Sequence, residues 1–286
     1  MKRGKYTILV LVITVSIIVF LLLNLLLGSV SIPFASVWNI LTGGEEDPVA
    51  WQNIILKSRL PQALTALVAG AGLSISGLQM QTIFRNPLAG PSVLGISSGA
   101  SLGVAFVVLL SGQLGGVALS RLGFIGEVAL SIAAVVGALS VMGLIVLASR
   151  KVAGSVTLLI KPLNLLMLGD GYARNLGLNI NRARVWVITC AGVLTAIVTA
   201  YCGPIIFLGL AVPHLCRAIF QTSDHRVLMP ASMLVGASLA LLCNLIARLP
   251  GFEGALPVNS VTALVGAPVV ASVLFGKRKR KDAIEF

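Results

Sequence analysis

Runs of about twenty apolar residues, the length that carries an α-helix across the hydrocarbon core of a bilayer, recur along the whole of this chain. Eight windows stand out, at about 6–28, 62–83, 93–112, 123–148, 185–201, 204–220, 228–247 and 258–275. Lipid offers no water to an unpaired N–H or C=O, so each window must close its own backbone hydrogen bonds as a helix. The expectation is an all-α polytopic transmembrane bundle of about eight spans, one domain over residues 1–286. Only 10% of the residues are charged and 57% are hydrophobic. A soluble domain carries about a quarter charged residues, so this chain cannot cover a water-facing surface.

The net charge of +12 invites a nucleic-acid reading, but its distribution argues for membrane topology. With both termini cytoplasmic, 17 of the 21 Lys and Arg residues lie inside and only Lys57, Arg59, Arg121 and Arg248 outside. That is the positive-inside asymmetry. The "KRKRK" run at 277–281 then reads as an anchor beside anionic lipid, and no nucleic-acid partner is expected. The first window lacks a small-residue cleavage site and reads as a retained helix.

Other chemistry finds little support. Cys190, Cys202, Cys216 and Cys243 show no CxxC spacing, and His214 and His225 are too few for a histidine metal cluster, so no metal site is expected. "TSDHR" (222–226) reads as a solvated turn. "GISSGASLG" (95–103) lacks the GK[ST] ending of a phosphate loop, so any ATP must bind another chain.

One stretch breaks the apolar pattern: "RNPLAGPSVLGISSGASLG" (85–103). Asn86-Pro87 forces a turn, because a residue before proline avoids helix. Pro91 suits the first turn of the next helix. Gly95, Gly99 and Gly103 fall four apart, and with Ser98 they make a small-residue stripe that suits close helix packing, a substrate path, or both. Further on, residues 185–220 must hold two crossings and a turn in 36 residues, so one helix is expected to be short or broken, with Gly203-Pro204 and Pro213 as the breaks. His214 follows the second, either on the path or bonded to a freed carbonyl.

"RLPQALTALVAGAGLSISGLQMQTIFRNPLAGPSVLGISSGASLG" (59–103), "KPLNLLMLGDGYARNLGLNINRAR" (161–184), "GPIIFLGLAVPHLCRAIFQTSDHRVLMP" (203–230) and "LPVNSVTALVGAPVV" (256–270) together resemble one family. It comprises the transmembrane permease subunits of type II ABC importers for iron-siderophores, haem and cobalamin. Gly90 departs from the pattern, since many relatives carry an acid there. The family has about ten spans. In this chain "VTLLI" is followed at once by "KPLNLLMLGD", so the resemblance implies that the hairpin of helices five and six is lacking, with the join near Leu158–Lys161. Losing a whole hairpin preserves topology and makes 150–184 one long cytoplasmic loop.

The resemblance implies a docking segment for ATP-binding cassette ATPase subunits at 168–178, with Leu168, Gly169, Asp170, Tyr172, Ala173, Leu176 and Gly177. It implies that Arg59 and Arg248, with Lys57 less clearly, receive acids of a substrate-binding protein, while Gln62 stands where relatives often carry a further base. It implies a homodimer in the bacterial inner membrane, no catalysis and no cofactor in this chain, with ATP and Mg on the partner ATPase. A truncated, non-transporting remnant is the alternative. A secondary transporter is weaker, since no acidic residue sits mid-span to carry a coupling ion.

Overall fold

The computed structural model describes residues 2–44, 48–113, 128–129, 131–133, 135–137, 160–249 and 256–282. Its helices are α1 (Lys2–Leu26), α2 (Phe34–Leu41), α3 (Val49–Ile54), α4 (Leu60–Ile83), α5 (Ile96–Gln113), α6 (Ile160–Met167), α7 (Asp170–Asn175), α8 (Ile180–Cys202), α9 (Phe207–Phe220), α10 (His225–Ile246) and α11 (Val258–Asp282). No strand occurs among the described residues. Among them, α1, the continuous rod Val49–Ile83, α8 and α10 are long and apolar enough to cross a membrane. Phe207–Phe220 and Val258–Ala271 are shorter apolar helices. The window at 123–148 lies mostly outside the described residues, with helical backbone at 128–129, 131–133 and 135–137.

Helix α4 is the axis of the bundle, packed by α10, α8 and α9 and more lightly by α1. Its inner face is small and polar: Gly70, Ser74, Ser76, Gly77, Gln79, Gln81 and Thr82 are all buried. A β-carbon on Gly77 would overlap the Gly209 carbonyl, and one on Gly70 the Gly236 carbonyl. Such backbone-to-backbone approach is what small residues permit between membrane helices. Ser76 Oγ adds bonds of 2.8 Å to Ala191 O and to Thr195 Oγ1 on α8. Across the other seam, Asn24 of α1 donates to Leu241 O (3.0 Å) and accepts from Asn244 (2.7 Å) on α10.

Two local expectations are corrected. Pro91 opens a separate 3-10 turn, Pro91–Leu94, and Gly95 turns the chain with φ 71° before α5 begins at Ile96. Gly95 therefore lies outside the helix on which Gly99 and Gly103 sit. Those two face the helical backbone at Ala133 and Gly137, and Ser98 also belongs to α5. Second, the chain breaks at Gly203-Pro204 and α9 is short, 14 residues, but Pro213 is buried inside a continuous helix. The described part of 150–184 is largely helical, as α6, α7 and the start of α8 at Ile180.

Pro213 removes the N–H that would bond Gly209 O, and Gly77 brings α4 against that freed carbonyl. The next carbonyl, Leu210 O, accepts from Gln81 Nε2 at 3.1 Å. Gly77→Val should therefore wedge α4 from α9 and cost about 1–3 kcal/mol, the range for overpacking. A lowered unfolding temperature in detergent checks this, with Gly171→Ala, whose β-carbon meets open space, unchanged. Equal temperatures for both variants would contradict the packing.

Candidate coupling face and opposite rim

Two candidate regions lie at the two ends of α4. At its C-terminal end, α6, α7 and the first turns of α8 make a small subdomain. Leu163, Leu166, Ala173, Ile180, Ala183 and Val187 form its core with Ile83 of α4. Gly169 (φ 113°) and Gly177 (φ 82°) bracket α7 in backbone conformations that L-residues avoid. The helix closes with Leu178 N–H donating to Ala173 O and Gly177 N–H to Arg174 O, a Schellman turn.

This frame sorts the side chains of 168–178. Ala173 is fully buried and fastens the segment to the bundle, whereas Leu168, Tyr172 and Leu176 are 57–62% exposed. Their spacing of four carries them along one edge. Asp170 faces the protein: Arg85 Nη2 pairs with its Oδ1, and Arg184 Nη2 with its Oδ2 at 2.8 Å. Arg85 also donates to Leu166 O (3.2 Å) and holds φ 46°, a left-handed conformation unusual for arginine, at the end of α4. The central helix is thereby tied to the exposed apolar edge through a single carboxylate.

Beside it lies a network that the sequence reading missed. His225, 1% exposed, donates its backbone N–H to Asn164 Oδ1 at 2.9 Å. Its Nδ1 is 2.7 Å from the same oxygen, and its Nε2 is 2.8 Å from Thr82 Oγ1 on α4. Asn164 Nδ2 donates to Asp224 Oδ1 (2.8 Å), and that carboxylate caps α10 by accepting from Arg226 N–H (2.9 Å). These bonds, the Arg226 N–H first and Asn164 next, hold the Asp224 carboxyl below the usual carboxylate range. "TSDHR" is thus a joint between α4, α6 and α10 and not merely a solvated turn. Its one legible signal was aspartate immediately before an apolar helix, an N-cap pattern. Nearby, His214 Nε2 donates to Pro87 O at 2.8 Å, and Arg217 Nη1 to Gln81 Oε1 at 2.7 Å.

The opposite rim separates the two arginines paired by sequence. Arg59 is 5% exposed and faces inward. Its Nη1 donates to Leu25 O (2.7 Å) and Leu26 O (2.9 Å), and its Nη2 to Val30 O. The guanidinium fork therefore caps the C-terminus of α1, and it is not presented to a partner. Arg248, half-buried, lines a cleft of about 300 Å³ with Gln62, Thr65, Tyr201 and Asn244, and burial lowers its pKa. Lys57 is exposed on the π-helical turn Ile55–Arg59.

The fold is thus a helical membrane bundle with an exposed apolar edge at one end and Lys57 and Arg248 at the other. The chain belongs to the FecCD transport family, whose model matches residues 16–160 and 152–276. It is 34% identical to the vitamin B12 import system permease protein BtuC of Klebsiella pneumoniae, over 93% of each chain. It is 30% identical to the hemin transport system permease protein HmuU of Yersinia pestis (90% of this chain, 92% of the relative). With the Fe(3+) dicitrate transport system permease protein FecD of Escherichia coli it shares 32% identity (91% and 96%). In three dimensions it matches a metal-chelate type ABC transporter in an inward-facing conformation, with TM-score 0.74 and 25% identity, over 94% of this chain and 99% of that one.

Proposed function

We propose that the chain is the permease subunit of an ABC importer for a metal chelate, haem or cobalamin, working as a homodimer in the bacterial inner membrane. The relatives' import functions support the substrate class. The observation that carries the coupling role is the edge formed by Leu168, Tyr172 and Leu176. It is exposed and apolar, yet its backbone is fixed by Ala173, two positive-φ glycines and the Asp170 clamp. An apolar patch with a polar rim is a docking surface, and a rigid base lets it transmit displacement.

ATP and Mg on the partner ATPase would supply the driving energy. Movement of α7 would reach α4 through Asp170 and Arg85, while Asn164 joins α6 to His225 of α10 and, through it, to Thr82 of α4. Both termini and the 160–184 subdomain would then face the cytoplasm. On the other side a substrate-binding protein would dock on Arg248 and Lys57. Arg59 would act there only indirectly, by holding the end of α1.

The comparisons also favour a second reading, a remnant without the helix five–six hairpin. The alignment with the vitamin B12 permease has 318 positions, while 93% of 286 residues is about 266, so roughly 50 positions lack a counterpart here. The family match changes over at residues 152–160, where the join was expected.

Two measurements separate these readings. Leu176→Asp should abolish co-purification with the cognate ATPase while membrane insertion persists; retained co-purification would remove the docking role. In proteoliposomes with ATPase and binding protein, the remnant reading predicts little ATP-driven uptake by the 286-residue chain. It also predicts a gain when a relative's hairpin is inserted between Leu159 and Lys161. Full uptake by the short chain would refute the remnant and leave the importer reading standing.

A further inference from the structure

Beside the join, between α4, α8 and α10, the bundle holds an open cleft of about 850 Å³ with Ile160 at its edge. Its size suits a small-molecule or lipid ligand. The chemistry of its walls changes with depth. Arg226, exposed and second in α10, stands at the end nearest the coupling face, and its side chain has no ion-pair partner among the described residues. Trp186, half-exposed and six residues into α8, lies at the same end. Arginine with tryptophan is the pairing that membrane proteins place at headgroup level.

Deeper in, Ile75, Val193, Leu194 and Met233 make an apolar wall. Met233 is seven residues beyond Arg226, which at 1.5 Å per residue is about 10 Å further along α10. Gln79, 1% exposed, borders the wall between these levels. A phosphate at Arg226 with hydrocarbon beneath it is the polarity profile of a phospholipid.

We propose that this cleft binds one anionic phospholipid, with its phosphate on Arg226 and an acyl chain along Ile75, Val193, Leu194 and Met233. Arginine suits the phosphate because its planar fork donates two parallel hydrogen bonds. Lipid hydrocarbon matches the wall and fills the space without the directed packing that a helix would need. The site belongs to the membrane-embedded fold and does not require that the chain transports.

The cleft carries its own probe in Trp186. In the full chain with Trp38→Phe and Trp51→Phe, Trp186 is the only tryptophan. This protein is reconstituted in phosphatidylcholine vesicles containing, at equal mole fraction, phosphatidylglycerol or phosphatidylcholine brominated on its acyl chains. Brominated phosphatidylglycerol should quench Trp186 about fivefold more effectively, the enrichment one basic residue gives near an anionic lipid. Arg226→Gln should bring the two lipids to parity, and Cys190→Phe, which fills the cleft, should lower quenching by both. A Trp38-only protein, with its tryptophan on α2 at the opposite end, should show no preference. Equal quenching of Trp186 by both lipids, a preference that survives Arg226→Gln, or the same preference at Trp38 would overturn the proposal. Shielding of Trp186 from both lipids would overturn it too, and would assign the cleft to another segment of the chain or to a second copy.

Discussion

Inside a bilayer a helix can end or bend only where something else takes up the carbonyls it frees, and that requirement organises this molecule. At the end of α1, Leu25, Leu26 and Val30 give their carbonyls to one buried guanidinium, Arg59. At Pro213 the Gly209 carbonyl is left to the bare backbone of Gly77, and the following Leu210 carbonyl goes to Gln81. The turn at Pro87 gives its carbonyl to His214. Four of these six carbonyls accept from α4 or from the turn that leads into it: Leu25, Leu26 and Val30 from Arg59, and Leu210 from Gln81. On the inner face of that apolar span, Gln81 donates to Leu210 O of α9 and Ser76 to Ala191 O of α8.

The same helix joins the two functional ends. Its N-terminal extension carries Arg59 under α1, and its C-terminal turn carries Arg85 onto Asp170. Between them the contacts are close backbone approaches and short hydroxyl bonds, which resist sliding better than long apolar side chains do. A load applied at the Leu168–Leu176 edge therefore has a stiff route into the bundle.

Much of this was legible in the sequence. Every apolar window within the described residues contains a helix. What stayed hidden depends on which way a side chain turns. Periodicity cannot say whether Arg59 faces a partner or folds back on α1, because the acceptors lie 29 to 34 residues away and are backbone carbonyls without any sequence signature. His225 sits in a loop-like string, and only the fold brings Asn164 and Thr82 around it. Pro213 looked like a break because sequence shows the lost N–H but not the glycine that closes over the freed carbonyl. Gly95 kept the spacing of the stripe, yet its positive φ placed it outside the helix.

Arg59 is where the structure and the family resemblance assign opposite roles, so its substitution is the most direct test. In Arg59→Ala the carbonyls of Leu25, Leu26 and Val30 lose a charged donor, and each such bond is worth about 1.5–3 kcal/mol. The measurement is the unfolding temperature in detergent of Arg59→Ala beside Arg248→Ala. The account predicts a large drop or loss of folded protein for the first and a near-native value for the second, whose side chain borders an open cleft. An Arg59→Ala protein as stable as the parent but unable to bind the substrate-binding protein would contradict it.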